Sequence, residues 1–460
     1  MTKDNSYFFC GIGGSGMSSI AQVLLHQGYG VRGSDRSRDR GLNRPLYENL
    51  AHQGVVFFPQ DGSGVDAGVD TLVVSGAVEP TISDVKAAVE QDIPIQKRAE
   101  VLAWLFHRSL GVAVGGTSGK STVTGMIGHI LRATGRDPTV INGGIMRGAV
   151  SPPYLGNAVC GRRNLLVIEA DESDGTIVLY DPTVAVLTNI SLDHKEMDEL
   201  KRLFGAFCER AQEAVVVNLN CETSAALTKG LSKRVTFGIE NQEADVRANQ
   251  VVALPDGMQF VVNGAGCRLR VPGRHNVANA AAAIAACEVL EVPVAVSAEV
   301  LSEFQGIGRR LEVVGQVNGV TVIDDFAHHP TAVSLTLNGL KQAHPERRLV
   351  AVFEPASATN ARALFEKRYI EAFTLADALV ITRVPRPERA RNDEPFSPDR
   401  LVQQLRHAGK KADYLPDVDS IAAHLVAETS PGDLIVFMSN GDFGGLQEKL
   451  LTALQTQCST

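Results

Sequence analysis

The chain is 460 residues long, 44% hydrophobic, 21% charged and 5% aromatic, with a formal net charge of −8. That length exceeds one ordinary core and predicts about three domains, while the acidic balance excludes nonspecific nucleic-acid binding, which rests on surplus Lys and Arg. The seven cysteines have no metal-site spacing and read as reduced thiols; with no visible signal peptide and no run of about 18 apolar residues, the expectation is a cytoplasmic protein without membrane insertion, monomeric or weakly dimeric.

From Tyr7 to about His107, apolar runs ("YFFCGI", "GVVFF", "TLVVSGA", "IPIQ") alternate with helix-like segments ("SSIAQVLLHQG", "SDVKAAVEQD", "AEVLAWLFH"). This is the pattern of a parallel sheet covered by helices. After the first run Gly11, Gly13 and Gly16 satisfy G-x-G-x-x-G, and Asp35 follows about 20 residues on, where dinucleotide sites place a ribose-reading acid. Such a turn aims helix-start N–H groups at a phosphate. The residues alone leave open a dinucleotide, another phosphorylated ligand or a plain tight turn.

Gly111 opens a second α/β unit that ends near Leu311. Its first strand runs into G-T-S-G-K-S, Gly116 to Ser121, with Val114 at the first glycine position of the common P-loop. Lys120 suits β- and γ-phosphate charge, and the Ser121 hydroxyl suits Mg²⁺. "VIEADESD" then crowds Glu169, Asp171, Glu172 and Asp174 at a strand end, where a cation relieves their repulsion. "TNISLDH" brings Asn189, Asp193 and His194 to the next strand end, and beside the acidic cluster His194 is expected as a metal ligand. In "PGRHNVANA", which holds His275, the amides of Asn276 and Asn279 share a helix face and suit a base edge or a cap. The alanine-rich run Ala278 to Ala286 reads as a tightly packed helix.

A third unit, doubly wound in appearance, begins near Glu312, with "GVTVIDDFAHHP", "RRLVAVFEP", "ALVITRV" and "GDLIVFMSNGDFGG" as strands that end in polar or glycine-rich turns. "GIGRRLE" supplies Arg309 and Arg310; "DDFAHHPTA" supplies Asp324, Asp325, His328 and His329. An arginine here suits phosphoryl charge, and Asp325 and His328 suit a ribose, a phosphate or an incoming amine, with a surface ion pair as the alternative. "VPRPERARNDEPFSPDR" reads as a mobile loop.

The ordered set GIGGSGMS, GTSGKST, EADESD, TNISLDH, GRHNVANA, RRLE and DDFAHHPT resembles the Mur ligases, the ATP-dependent amide ligases of peptidoglycan synthesis, over nearly the whole chain. The resemblance implies an α/β protein of three domains: a Rossmann-like one for a UDP-sugar (1–108), a central P-loop ATPase-type domain (109–312) and a C-terminal Rossmann-like domain for the incoming amine (313–460). It implies ATP at Gly116, Thr117, Ser118, Gly119, Lys120, Ser121 and Thr122, with Asn276 and Asn279 on adenine and Arg310 and Asp325 closing over the nucleotide. Mg²⁺ falls to Ser121, Glu169, Glu172 and His194. The UDP-sugar, not NAD, falls to Gly13, Gly14, Ser15, Gly16, Met17, Ser18, Asp35 and Ser75. Lys120, Glu172, His194, Arg310 and His328 carry catalysis: a carboxylate attacks the γ-phosphoryl group, and an amine displaces phosphate from the acyl phosphate. The first turn and EADESD resemble the branch acting on UDP-N-acetylmuramate. In the third unit "DDFAHHPTA", "FEPASATNAR" and "MSNGDFGG" look more like enzymes adding the tripeptide L-alanyl-γ-D-glutamyl-meso-diaminopimelate than those adding free L-alanine. The tripeptide is therefore the expected amine, with free alanine as the alternative. Ala356 and Asp442 depart from the tripeptide-adding pattern, and Arg362 is the candidate to replace the arginine that Ala356 displaces.

Overall fold

The computed structural model describes residues 5–76, 78–162, 164–192, 195–356, 363–385 and 394–457. Five parallel strands form the first sheet: β1 (Ser6–Cys10), β2 (Gly30–Ser34), β3 (Val56–Phe57), β4 (Thr71–Val74) and β5 (Ile95–Lys97), in the order β3-β2-β1-β4-β5. Helices α1 (Ser15–His26), α2 (Arg36–Asp39), α3 (Arg44–Gln53), α4 (Ser83–Glu90) and α5 (Arg98–Phe106) join them. Strand order reverses beside β1, so a crevice opens outside the carboxyl ends of β1 and β4. The first glycine turn and Ser75 lie at those two ends.

The second sheet has ten strands, ordered β15-β14-β13-β12-β11-β10-β6-β9-β7-β8. They are β6 (Leu110–Gly115), β7 (Thr139–Ile141), β8 (Ala158–Val159), β9 (Leu165–Glu169), β10 (Val184–Leu187), β11 (Ala214–Asn218), β12 (Arg234–Ile239), β13 (Val246–Leu254), β14 (Gly257–Val262) and β15 (Ala265–Leu269). Strand β6 is flanked by β9 and β10, both parallel to it, with Val114 beside Glu169 and Gly115 beside Leu187. This is the second switch point, and it gathers three strand ends. Helices α6 (Lys120–Ala133), α7 (Met197–Glu209), α8 (Glu222–Leu227), α9 (Arg274–Val289) and α10 (Val294–Val300) complete the region. Ala280 to Ala286 are fully buried in α9, as the alanine run predicts. The sequence reading does not place β12 to β15, because their faces are partly exposed and the apolar signal is thin.

The third sheet runs β16-β17-β21-β18-β19-β20, parallel except for the antiparallel edge strand β16. Its strands are β16 (Glu312–Val317), β17 (Val320–Asp325), β18 (Leu349–Phe353), β19 (Ala378–Ile381), β20 (Lys411–Tyr414) and β21 (Leu434–Met438). Both faces are covered by α11 (Pro330–Ala343), α12 (Glu366–Phe373), α13 (Pro398–His407), α14 (Val418–Glu428) and α15 (Leu446–Gln457). Two-sided burial makes β18 and β21 unbroken apolar runs, LVAVF and LIVFM. Contacts divide the chain into two compact units: 1–249, 261–267 and 278–307 form one, and the remainder, including the third sheet, the other.

Candidate active site

The second glycine turn takes its shape from backbone conformations that only glycine adopts easily. Gly116 has φ +131, and a Cβ there would lie 2.0 Å from the Thr188 hydroxyl; Gly119 has φ +89, and a Cβ there would lie 2.5 Å from Asn279 Oδ1. The segment after β10 clamps the turn. Ser118 N–H donates to Asn189 Oδ1 (3.0 Å), Asn189 Nδ2 donates to the Ser118 carbonyl (2.9 Å), and Thr188 Oγ1 donates to that same carbonyl (2.7 Å). Thr117 N–H donates to the Asn189 carbonyl, and Ser191 N–H to the Thr117 hydroxyl. The sequence reading places Asn189 among ligand groups; the structure makes it a holder of the second glycine turn.

Lys120 opens α6, with Nζ 2.8 Å from Glu172 Oε2 and 2.8 Å from the Gly116 carbonyl. Burial works against its charge, but the carboxylates of Glu172, Asp171 and Glu169 outweigh it and hold the ammonium above its ordinary pKa. Burial pushes Glu172 upward, and Lys120 opposes that shift. Glu172, expected on the metal, is thus the counter-ion of Lys120. Glu169 meets Ser121 instead: Oε2 accepts from Ser121 Oγ (2.9 Å) and from Gly143 N–H (2.9 Å). Thr122 is buried in the first turn of α6. Asp193 and His194 lie outside the described residues, and among those residues no group of three His, Cys, Asp or Glu side chains is arranged to hold a metal.

The first turn satisfies most of its own backbone. Gly13 N–H donates to Asp35 Oδ2 (2.9 Å), Gly14 N–H to the Gly11 carbonyl, and Met17 and Ser18 N–H to the Gly14 carbonyl. Asp35 also caps α2 through Ser37 N–H, so the expected ribose acid closes the turn. The Ser15 hydroxyl donates to the Gly143 carbonyl, and Asn157 Nδ2 reaches the Ser15 carbonyl and Ser18 Oγ. Met17 is buried. Gly16 leaves room for Arg98, whose Nη1 would lie 2.9 Å from a Cβ at that position. Neither Arg98 nor Asn157 belongs to a recognisable spacing, so the sequence does not single them out.

In the other unit the paired arginines part ways. Arg309 donates to Asp324 Oδ2 (3.1 Å) and to the carbonyls of Ser439 and Gly441, whereas Arg310 lies over the Phe326 ring at 4.9 Å. Buried Asp325 accepts from Leu311 N–H, Ala327 N–H and Thr336 Oγ1. Its pKa is raised by burial, against Arg310 and these donors. His328 Nδ1 lies 2.9 Å from the Phe326 carbonyl, so that nitrogen carries the proton, and His329 caps α11. Asn276 is buried and donates to the Pro272 carbonyl. Asp442 caps the turn at Gly444. Arg362 and residues 386–393 of the expected mobile loop lie outside the described residues.

A lysine-bearing glycine loop at the switch point of a doubly wound sheet, facing strand-end carboxylates, has the make-up of a phosphoryl-transfer site. Three family models match in chain order: the Mur ligase family catalytic domain over 6–109, the Mur ligase middle domain over 114–287 and the Mur ligase glutamate ligase domain over 309–441. The chain belongs to the Mur ligase family, the ATP-dependent ligases that form C–N bonds in peptidoglycan synthesis. It is 36% identical to the UDP-N-acetylmuramate–L-alanine ligase of Geobacter sulfurreducens over 98% of each chain, and 37% identical to that of Geobacter sp. strain M21 over 97% of each. Among solved structures it matches the UDP-N-acetylmuramate-alanine ligase of Thermotoga maritima (TM-score 0.82, 26% identity, 99% of this chain and 100% of that one). It also matches a murein peptide ligase of Psychrobacter arcticus (TM-score 0.72, 27% identity, 98% and 99%).

These relatives overturn the tripeptide expectation, since full-length matches at 34–37% identity carry the L-alanine-adding name. The physical reason lies in the motifs that suggested it. Asp325, Ala327 and His329 of "DDFAHHPTA" build a turn and a cap, and Ser439, Gly441 and Asp442 of "MSNGDFGG" bind Arg309, Glu354 and their own turn. Such residues report local packing, not the choice of amine. No helix among the described residues is long and apolar enough to cross a membrane.

Proposed function

We propose that this protein joins the lactyl carboxylate of UDP-N-acetylmuramate to the amino group of free L-alanine, using ATP. The observation that carries the reading is Lys120, a buried ammonium at the head of a glycine loop, kept charged by Glu172, Asp171 and Glu169. A cation held there offsets charge on the β- and γ-phosphates as the acceptor carboxylate attacks. Gly116 to Thr122 cradle those phosphates, and the Asn189 clamp keeps the cradle preformed. The hydroxyl and carboxylate oxygens of Ser121 and Glu169 fit a hard divalent cation, with substrate phosphates completing its shell, and Mg²⁺ bound there supplies Lewis-acid polarisation of the phosphoryl oxygens. The first turn, Gly13 to Ser18, holds the UDP-sugar, with Asp35 bracing it and Ser75 at the neighbouring strand end. Asn276 and Asn279 serve the adenine, Arg310 and Asp325 the nucleotide, and His328 the proton of the attacking amine.

The test is phosphate release from ATP with UDP-N-acetylmuramate, Mg²⁺ and L-alanine, each omitted in turn. Release that requires all four, with a product heavier by one alanyl residue, is expected. No alanine-dependent release at saturation, or binding of NADH in place of ATP, would overturn the reading.

A further inference from the structure

We propose that Arg98 is a substrate ligand, a guanidinium that grips the diphosphate of the nucleotide-sugar held by the first glycine turn. The inference rests on the UDP-sugar reading of that turn and adds the cation it lacks. From Gly11 to Ser18 the chain has no charged side chain, and four of its N–H groups are spent on Asp35 and on the turn's own carbonyls. A diphosphate carries about two negative charges, and neutral N–H groups alone leave them uncompensated.

Arg98 comes from a different element and is aimed at this place. It is the first residue of α5, whose start is fixed by Glu100 accepting from Lys97 N–H (2.7 Å). Its side chain lies across Gly16 so closely that a Cβ there would sit 2.9 Å from Nη1 and 3.0 Å from Cδ. The absence of a Cβ at Gly16 thus gives the guanidinium its place over the turn. The side chain is 27% exposed, with Asp174 Oδ2 3.9 Å away and Asp171 near enough to feel its charge. Neither carboxylate is hydrogen-bonded to it, and a loose pair at 3.9 Å contributes little. The guanidinium fork thus retains donors for an oxyanion pair, the geometry in which arginine surpasses lysine. The nearby arginines of α2 are turned elsewhere: Arg36 donates to Gln60, and Arg38 stacks on Phe57 at 4.8 Å.

Calorimetric titration of the full chain with UDP tests the assignment. Arg98→Met should weaken UDP about ten- to a hundredfold, the loss of one charge-assisted bidentate contact. Arg98→Lys should recover only part of it, and both variants should keep the parent's affinity for a non-hydrolysable ATP analogue and its melting temperature. UDP affinity within twofold of the parent in Arg98→Met overturns the proposal. So does unchanged UDP affinity with weakened UDP-N-acetylmuramate, which would put Arg98 on the carboxylate. A parent chain that binds no UDP would instead overturn the reading of the turn itself, before any variant is compared.

Discussion

Between Gly11 and Ser18 the backbone turns on glycine with no charge of its own, whereas between Gly116 and Ser121 it carries Lys120 and faces Glu169, Asp171 and Glu172. The first turn is braced by one carboxylate, Asp35, bonded to Gly13 N–H. The second is gripped by Thr188 and Asn189 on both sides of Ser118. Both follow a parallel strand and open a helix, so the same local geometry stands in two electrostatic settings. A phosphate that serves only as a handle can be held by N–H groups and a cation lent by another element, the part proposed for Arg98. One whose bond is being broken needs a cation held where charge develops.

Lys120→Met should break the comparison most severely, lowering alanine-dependent phosphate release by at least about 10²–10³-fold while UDP binding to the first turn persists. It also strands the buried Glu172 carboxylate, at about 3–5 kcal/mol in stability by denaturant titration. Lys120→Met with Glu172→Gln should regain stability without regaining activity, and activity in that double variant would disprove the role given to Lys120. Next in size, Gly116→Ala drives a Cβ into Thr188 Oγ1 at positive φ and should cost about 1–3 kcal/mol or more, with loss of ATP binding. Gly14→Ala, at φ −61 with its nearest neighbour 3.6 Å away, should stay within about 0.5 kcal/mol of the parent in stability.

Asn189→Ala removes two hydrogen bonds to Ser118 and should raise KM for ATP about tenfold. UDP affinity should not change, since the first turn does not depend on this clamp. A separate test concerns pH. Burial lowers His275 to about 4, with Arg310 adding to the shift. Neutral His275 therefore costs the fold nothing above the unfolded value of about 6.5, and stability falls as pH drops from there toward 4, because only the unfolded chain takes up the proton. His275→Gln should flatten the stability–pH curve across that window; an unchanged slope would refute the assignment.

Much of the site was legible because it is local. Gly116 to Ser121 and Gly11 to Ser18 each declare themselves within a strand, a turn and a helix start, and the Ala278 to Ala286 run declares a buried helix. The Asn189 clamp was misread because its partner Ser118 is 71 residues away and becomes a neighbour only through the pairing of β6 with β10. Arg98 and Asn157 were missed for the same reason. Glu172 was expected on a cation, yet only packing shows that Lys120 already claims it. The choice of amine is not legible there because the conspicuous third-sheet motifs build caps and turns of their own unit.

The sequence by itself determined the alternation of strands and helices, the two phosphate-type turns and the family, since backbone conformation and apolar periodicity are set by neighbours along the chain. Tertiary structure alone decided which carboxylate meets Lys120, which meets Ser121, and which side chains brace each turn. Those pairings depend on strand order, which brings the ends of β6, β9 and β10 within hydrogen-bond reach although long stretches of chain separate them.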